Sequence, residues 1–205
     1  MITSMKRLAW SFAAALGAAV LVTACATSRA RYETAAYTAL RTEGDFEVRD
    51  YPELKVVATG VAAGSPERDT RFMRLFRYID GDNAASQKVA MTTPVFMTTT
   101  RSEGDGGGIQ EKMNFVVPAG VAAAGAPAPK SQDITLETLP AQRVAVVRFA
   151  GKSNQALEKE KLAALRAWME ENNLTAHGDP LLAYYDPPWT PGPLRRNEVL
   201  VPVKK

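Results

Sequence analysis

The sequence predicts an α+β domain assembled from two copies of one β-α-β-β unit. Three observations carry this expectation. Strand-like and helix-like segments recur in the same order over residues 45–118 and 133–203. Residues of like kind match between the copies: Pro52 with Pro140, Lys55 with Arg143, Val56 with Val144 and Ala62 with Ala150 at a spacing of 88, and Leu75 with Leu165, Tyr78 with Trp168 and Asn83 with Asn173 at a spacing of 90. Each copy also holds a single helical segment. A unit of that size cannot cover its own sheet face, so two copies sharing a core is the physical solution.

The first copy opens with an alternating strand, Phe46 to Tyr51, and a Val-rich one, Leu54 to Ala62. Ser65-Pro66 then supplies an N-cap and a proline for the first helical position. Phe72, Leu75, Phe76 and Ile79 follow at i, i+3, i+4 and i+7 as one apolar stripe, and Gly81 ends the helix. Strands are expected over residues 88–99 and 112–117, with Pro94 marking a bulge or an edge. Gly104 to Gly108 reads as a hairpin tip, and Ala119 to Pro129 as a surface linker. The second copy gives strands over 134–138 and 143–150, a helix over 154–172, and strands over 181–185 and 197–203.

Composition removes several function classes. The 205 residues include 25 Lys and Arg, 22 Asp and Glu, one His and one Cys. A single cysteine excludes a disulfide framework and any Cys-based metal cluster, and a single histidine excludes a two-His metal site. No nucleophile elbow, phosphate-cradling loop or H-E-x-x-H is present, so neither a catalytic residue nor a metal ligand is assigned and no enzyme is expected. His177 reads as a loop residue. No basic cluster falls on a recognisable helix or aromatic platform, which argues against nucleic acid.

The N-terminus reads as an address. Lys6 and Arg7 precede an uncharged stretch from Leu8 to Ala24, followed by Cys25, the pattern of an export signal over residues 1–24. Alone, these residues leave open an uncleaved anchor or a plain signal with a chance cysteine. Val22-Thr23-Ala24-Cys25 resembles the lipobox of bacterial lipoproteins. That resemblance implies lipid attachment at Cys25, a tether over 25–37, a folded domain over 38–205, and sorting to an outer membrane facing the periplasm, as Ala26 suggests. Without Lys6 and Arg7 the chain has 23 basic against 22 acidic residues, so its basic character is partly the signal's.

Two further segments are distinctive. Lys88-Val89-Ala90-Met91-Thr92-Thr93-Pro94-Val95 alternates with Val89, Met91, Thr93 and Val95 on one face. Tyr184-Tyr185-Asp186-Pro187-Pro188-Trp189 leads to Arg195-Arg196-Asn197-Glu198-Val199. This proline-stiffened aromatic loop either closes over an apolar ligand, with arginines reaching its acid groups, or is a rigid connector with solvated arginines.

Together with Tyr78-Ile79-Asp80-Gly81-Asp82-Asn83, these blocks resemble the SOUL/haem-binding-protein family over residues 32–203. The resemblance implies a distorted antiparallel β-barrel flanked by two main helices, similar to gyrase-inhibitor-like ligand-binding domains. It also implies that haem or another tetrapyrrole lies in a shallow apolar groove on the first helix. Carried onto this chain, the groove wall falls on Phe72 and Phe76, and Arg77 is placed to pair with a propionate. Met91 and Tyr78 are weak donors available to iron, and Trp189 stands in the following loop. The chain departs from the family pattern where Trp189 and Thr190 replace a basic residue, at Asp69 (flanked by Arg68 and Arg71), and in lacking a histidine for iron in its first half. The same apolar stripe also serves as core, so at most one flank of it faces a ligand.

The expectation is a membrane-tethered binding protein for a tetrapyrrole, with no protein partner identifiable. The alternatives are a binder of another amphipathic apolar molecule in the same groove, and, by fold analogy, a small hydrolase.

Overall fold

In the computed structural model the described residues are 31–62, 64, 70–101, 109–187 and 189–204. The segment expected to be an export signal (residues 1–24), Cys25, Ser65-Pro66, Arg68, Asp69, Gly104 to Gly108 and Pro188 lie outside them. The strands are β1 (Glu33–Thr34), β2 (Thr38–Glu43), β3 (Phe46–Tyr51), β4 (Leu54–Ala62), β5 (Thr92–Thr93), β6 (Val95–Arg101), β7 (Ile109–Val116), β8 (Thr135–Leu139), β9 (Gln142–Ala150), β10 (Leu181–Tyr184) and β11 (Arg196–Pro202). The helices are α1 (Thr70–Ile79), α2 (Ala119–Ala124) and α3 (Gln155–Glu171). Among the described residues, no helix is long and apolar enough to cross a membrane.

Nine strands form one antiparallel sheet in the order β2-β3-β9-β11-β10-β6-β7-β4-β8. Leaving out β2, this order is a palindrome about the β10–β6 contact. Each repeat's last three strands stay together, while its first strand crosses over: β3 pairs with β9 of the second copy, and β8 with β4 of the first. The short Pro52-Glu53 link therefore joins strands at opposite ends of the sheet.

The sheet curls. Tyr51 on β3 and Phe96 on β6 are four strands apart, about 19 Å in a flat sheet, yet their ring centroids are 6.0 Å apart. The face they share is thus concave, and its core joins Val56, Val116, Val144, Val146 and Leu200. The distorted barrel expected from the sequence takes the form of an open half-barrel, with β2 and β8 at its two ends. The two main helices cover the convex face separately. Leu165, Trp168 and Met169 of α3 pack on Val48, Ala145, Val147, Val199 and Val201. Leu75, Tyr78 and Ile79 of α1 pack on Val57 and Phe115. Asn154 caps α3, its Oδ1 accepting the N–H groups of Ala156 and Leu157.

Four expectations are corrected. The strand expected over 88–99 is broken: Pro94 has no N–H to donate, its bond to Thr93 is cis, and β5 and β6 belong to different sheets. Residues 33–35, expected in the tether, are stitched into the fold. There β1 pairs parallel with β5, and the Ala35 N–H donates to the Thr93 carbonyl at 2.8 Å. The expected surface linker contains α2 and clamps α1, because the Tyr78 hydroxyl donates to the Pro127 carbonyl at 2.7 Å. Tyr78 is fully buried there and is withdrawn as an iron donor. Strand β2, unassigned from the sequence, extends the sheet beyond β3.

The concave face holds a charged cluster where the sequence shows only alternation. Arg49 and Glu198 are both 0% exposed. The Arg49 guanidinium donates to both Glu198 oxygens (2.7 and 3.0 Å) and to Glu47 (2.7 Å), and it lies 4.3 Å from the Tyr37 ring centroid. Arg196 and the Tyr185 hydroxyl also donate to Glu198. Burial pushes the Glu198 carboxyl up, but the hydrogen bonds and charge of Arg49, with Arg196, outweigh it and hold the group below its ordinary value.

Arg49→Met, which strands a buried carboxylate, lowers unfolding free energy by about 3–5 kcal/mol in denaturant titration, and adding Glu198→Leu recovers most of it. Because the folded pKa of Glu198 is depressed, its contribution is complete above the ordinary value of 4.5 and is lost as pH falls through the lower folded value. Below pH 4.5, stability therefore falls more steeply in the wild type than in the double variant.

Candidate functional site

With the concave face filled, the open space lies on the convex face, between α1 and the start of α3, where the two copies meet. A groove of about 570 Å³ opens there. Phe72, Met73 and Phe76 of α1 form one wall, and Val95 and Met113 of β6 and β7 form its floor. Met91 enters from the segment before β5, and Tyr185, Asp186, Pro187 and Trp189 follow β10. Tyr32, just before β1, completes the lining on the N-terminal side.

The walls are predominantly apolar, and the charged lining groups are Lys152, Arg195 and Asp186. Lys152 is exposed in the turn before α3. The Arg195 Nε–H donates to the Thr190 carbonyl at 2.8 Å, which ties the aromatic loop to the start of β11. The Asp186 carboxylate accepts the Arg196 N–H at 2.6 Å and fixes the other end of that loop. Tyr184 separates the groove from a second, more polar cavity: it lines both, and its hydroxyl donates to Glu158 at 2.9 Å, beside Ser153 at 2.6 Å. Burial, then the charge of Glu198, pushes the Tyr185 phenol far up, so at neutral pH it is a donor.

Of the residues expected at the site, Phe72, Phe76, Met91 and Trp189 line this one groove. Arg77 does not. A helix turns 100° per residue, so Arg77 lies about 40° beyond Met73 around α1, on the outer side of the wall, and is exposed to solvent. Arg71, beside the expected basic position at Asp69, is buried and donates to the Glu111 carbonyl on β7 at 3.1 Å. Of the two arginines read as able to reach acid groups, Arg195 lines the groove, whereas Arg196 turns to the concave face. His177 is absent from the lining, and among the described residues no cluster of three His, Cys, Asp or Glu is placed to hold a metal.

Sequence reasoning missed Lys152, Met73, Met113 and Tyr32. Met73 was findable, because Met73 and Phe76 form an i, i+3 pair on the flank of the stripe. Lys152 carries no local signal: it reaches the groove only because β9 ends beside the loop that follows β10.

The family model described as SOUL heme-binding protein matches residues 32–202 of this chain. The chain belongs to that family. SOUL heme-binding proteins are binding proteins rather than enzymes. The chain is 29% identical over 157 residues to Heme-binding protein 1 of Xenopus laevis, covering 75% of this chain and 81% of that protein. The Xenopus tropicalis protein of the same name is 28% identical over the same shares. Among solved structures, the EcmrR C-terminal domain superposes with a TM-score of 0.54 at 16% identity, covering 82% of this chain and 98% of that one. A hydrolase from Listeria innocua gives 0.55 at 12%, covering 80% and 94%. At such identities these structures share the fold alone, and a hydrolase among them assigns no chemistry to this SOUL chain.

The two phenylalanines differ in structural role. Phe72 is half-buried, 5.6 Å from the Phe115 ring, whereas Phe76 is 39% exposed. Phe72→Ala is expected to cost about 2–3 kcal/mol in chemical denaturation, and Phe76→Ser no more than about 0.5 kcal/mol.

Proposed function

We propose that this SOUL protein binds haem or a related tetrapyrrole in the convex groove while held to a membrane through a lipid on Cys25. One observation supports the binding site most directly. A single cavity combines apolar walls from α1 and the post-β10 loop with two cationic side chains, within the ~300–1,000 Å³ typical of ligand sites.

The lining fits such a group. Phe72, Phe76 and Trp189 offer ring faces to a flat macrocycle, and Met91, Val95 and Met113 fill in beneath it. Lys152 and Arg195 take the propionate role expected of Arg77, since they line the groove and Arg77 does not. Haem would bring an iron able to take a soft or phenolate donor, and Met73, Met91, Met113 and Tyr32 are lining side chains that would supply one. Burial between these walls excludes water from the ligand's apolar body and leaves its acid edge at the cationic rim.

A second reading rests on the absence of histidine from the lining. Nothing in the groove is built around imidazole–iron bonding, so an iron-free tetrapyrrole or another amphipathic acid fits the same walls and cations.

Titration of the purified protein with micromolar hemin is expected to shift the Soret band. Phe76→Asp and Lys152→Glu each weaken affinity about tenfold, about 1.4 kcal/mol, whereas Arg77→Glu changes it less than about twofold. An unshifted Soret band overturns the haem reading. If native mass spectrometry of protein from its own host then shows a bound non-tetrapyrrole, the second reading stands. For the anchor, the intact mass of membrane-extracted protein carries a diacylglyceryl group on Cys25, and Cys25→Ser removes it.

A further inference from the structure

Besides holding a ligand, the groove's outer edge has the composition of a membrane-contact surface. Six large apolar side chains are notably exposed among the described residues: Leu40, Met73, Phe76, Ile109, Leu136 and Trp189. Three of them, Met73 at 47%, Phe76 at 39% and Trp189 at 76%, line the same groove. The other three lie on β2, β7 and β8, outside its lining. Scattered single apolar residues on a surface require no explanation, but a cluster with a bare tryptophan does.

Two observations specify what meets this cluster. The first is charge. Lys152 is exposed in the groove lining, and Arg77 projects to solvent one residue beyond Phe76. Tryptophan and aliphatic side chains flanked by Lys and Arg are the composition that settles at a bilayer interface, with rings at headgroup depth and cations on anionic lipid. The second is chain continuity. Tyr32 lines the groove, and the cysteine proposed to carry the lipid is Cys25, seven residues upstream. Seven extended residues span at most about 25 Å, so an anchored chain keeps the groove near the bilayer.

We infer that the groove's mouth docks on the surface of an anionic bilayer, with Trp189, Met73 and Phe76 inserted at headgroup depth. A ligand that partitions into lipid then enters or leaves without crossing water. The inference rests on the proposed anchor and deepens the proposed binding site.

The chain supplies its own reporter. Its three tryptophans are Trp10 in the export signal, Trp168 buried under α3, and Trp189. The full chain, membrane-extracted and reconstituted in vesicles of phosphatidylethanolamine and phosphatidylglycerol, is compared with its Trp189→Phe variant, with shallowly brominated lipids as quencher. The expected result is strong quenching and blue-shifted emission in the wild type, with most of the quenching lost in Trp189→Phe. A Met73→Asp/Phe76→Asp variant, altered only at exposed positions, retains folding by circular dichroism and loses quenching of Trp189. Equal quenching in wild type and Trp189→Phe overturns the inference, as does a Trp189 that aqueous iodide quenches as freely with vesicles as without. Acylation of Cys25 is read separately by intact mass and haem binding by the Soret band, so failure of docking is distinguishable from failure of either.

Discussion

A single buried guanidinium organises the concave side of this protein. Arg49 lies on β3, from the first repeat, and its principal partner Glu198 lies on β11, from the second. Neither is accessible to water, so each would be prohibitively costly alone; paired in two hydrogen bonds, and joined by Glu47, Tyr51 and Arg196, they are mutually satisfied. The cluster can exist only when β3, β9 and β11 are in register, because one residue of slip would turn Arg49 toward the α3 core. It fills the concave space with the protein's own charges, so the open space lies on the convex side, between the helices.

The groove's position follows from the same symmetry. Each main helix packs mainly on its own half of the sheet, touching the seam where β6 meets β10 only at its edges, through Val95 on one side and Leu182 and Tyr184 on the other. A seam covered only at its edges, between two covered halves, is a cleft by construction. The two copies differ in what they bring to it: the first supplies a helix flank bearing Phe72, Met73 and Phe76, and the second supplies Lys152 and the proline-stiffened loop. Two copies of one unit therefore make an asymmetric cleft.

Much of this was legible in the sequence, for local reasons. The bounds of β4, β9 and α3 follow from Val-rich runs and from Asn154, whose side chain caps the helix it starts. The Tyr184-to-Val199 block stands out because its prolines and aromatics are unusual together, whether as a loop over a ligand or as a rigid connector. What remained hidden is non-local. Glu47 and Arg49 alternate with apolar residues as a solvent-facing edge would, and only the curl of the sheet buries them. The exchange of first strands leaves no mark within either strand. Correspondence places Arg77 at the groove, but it sits just outside the lining, on the solvent side of Met73; Lys152 reaches the lining through a contact between segments more than thirty residues apart.

The exchange of β3 and β8 also sets the order in which the protein becomes whole. Phe46 faces Val147, and β9 must in turn be flanked by β11, whose last residues lie near the C-terminus. A chain emerging from its N-terminus can pair β4, β6, β7 and β8 once residue 139 is present, but β3, the opening strand of the first repeat, must wait for β9 and its neighbour β11. Such late closure slows folding, since distant segments must meet before their contacts repay the lost freedom. It also means that neither repeat is a fragment able to stand alone: each lends the other its opening strand, and the two are completed together.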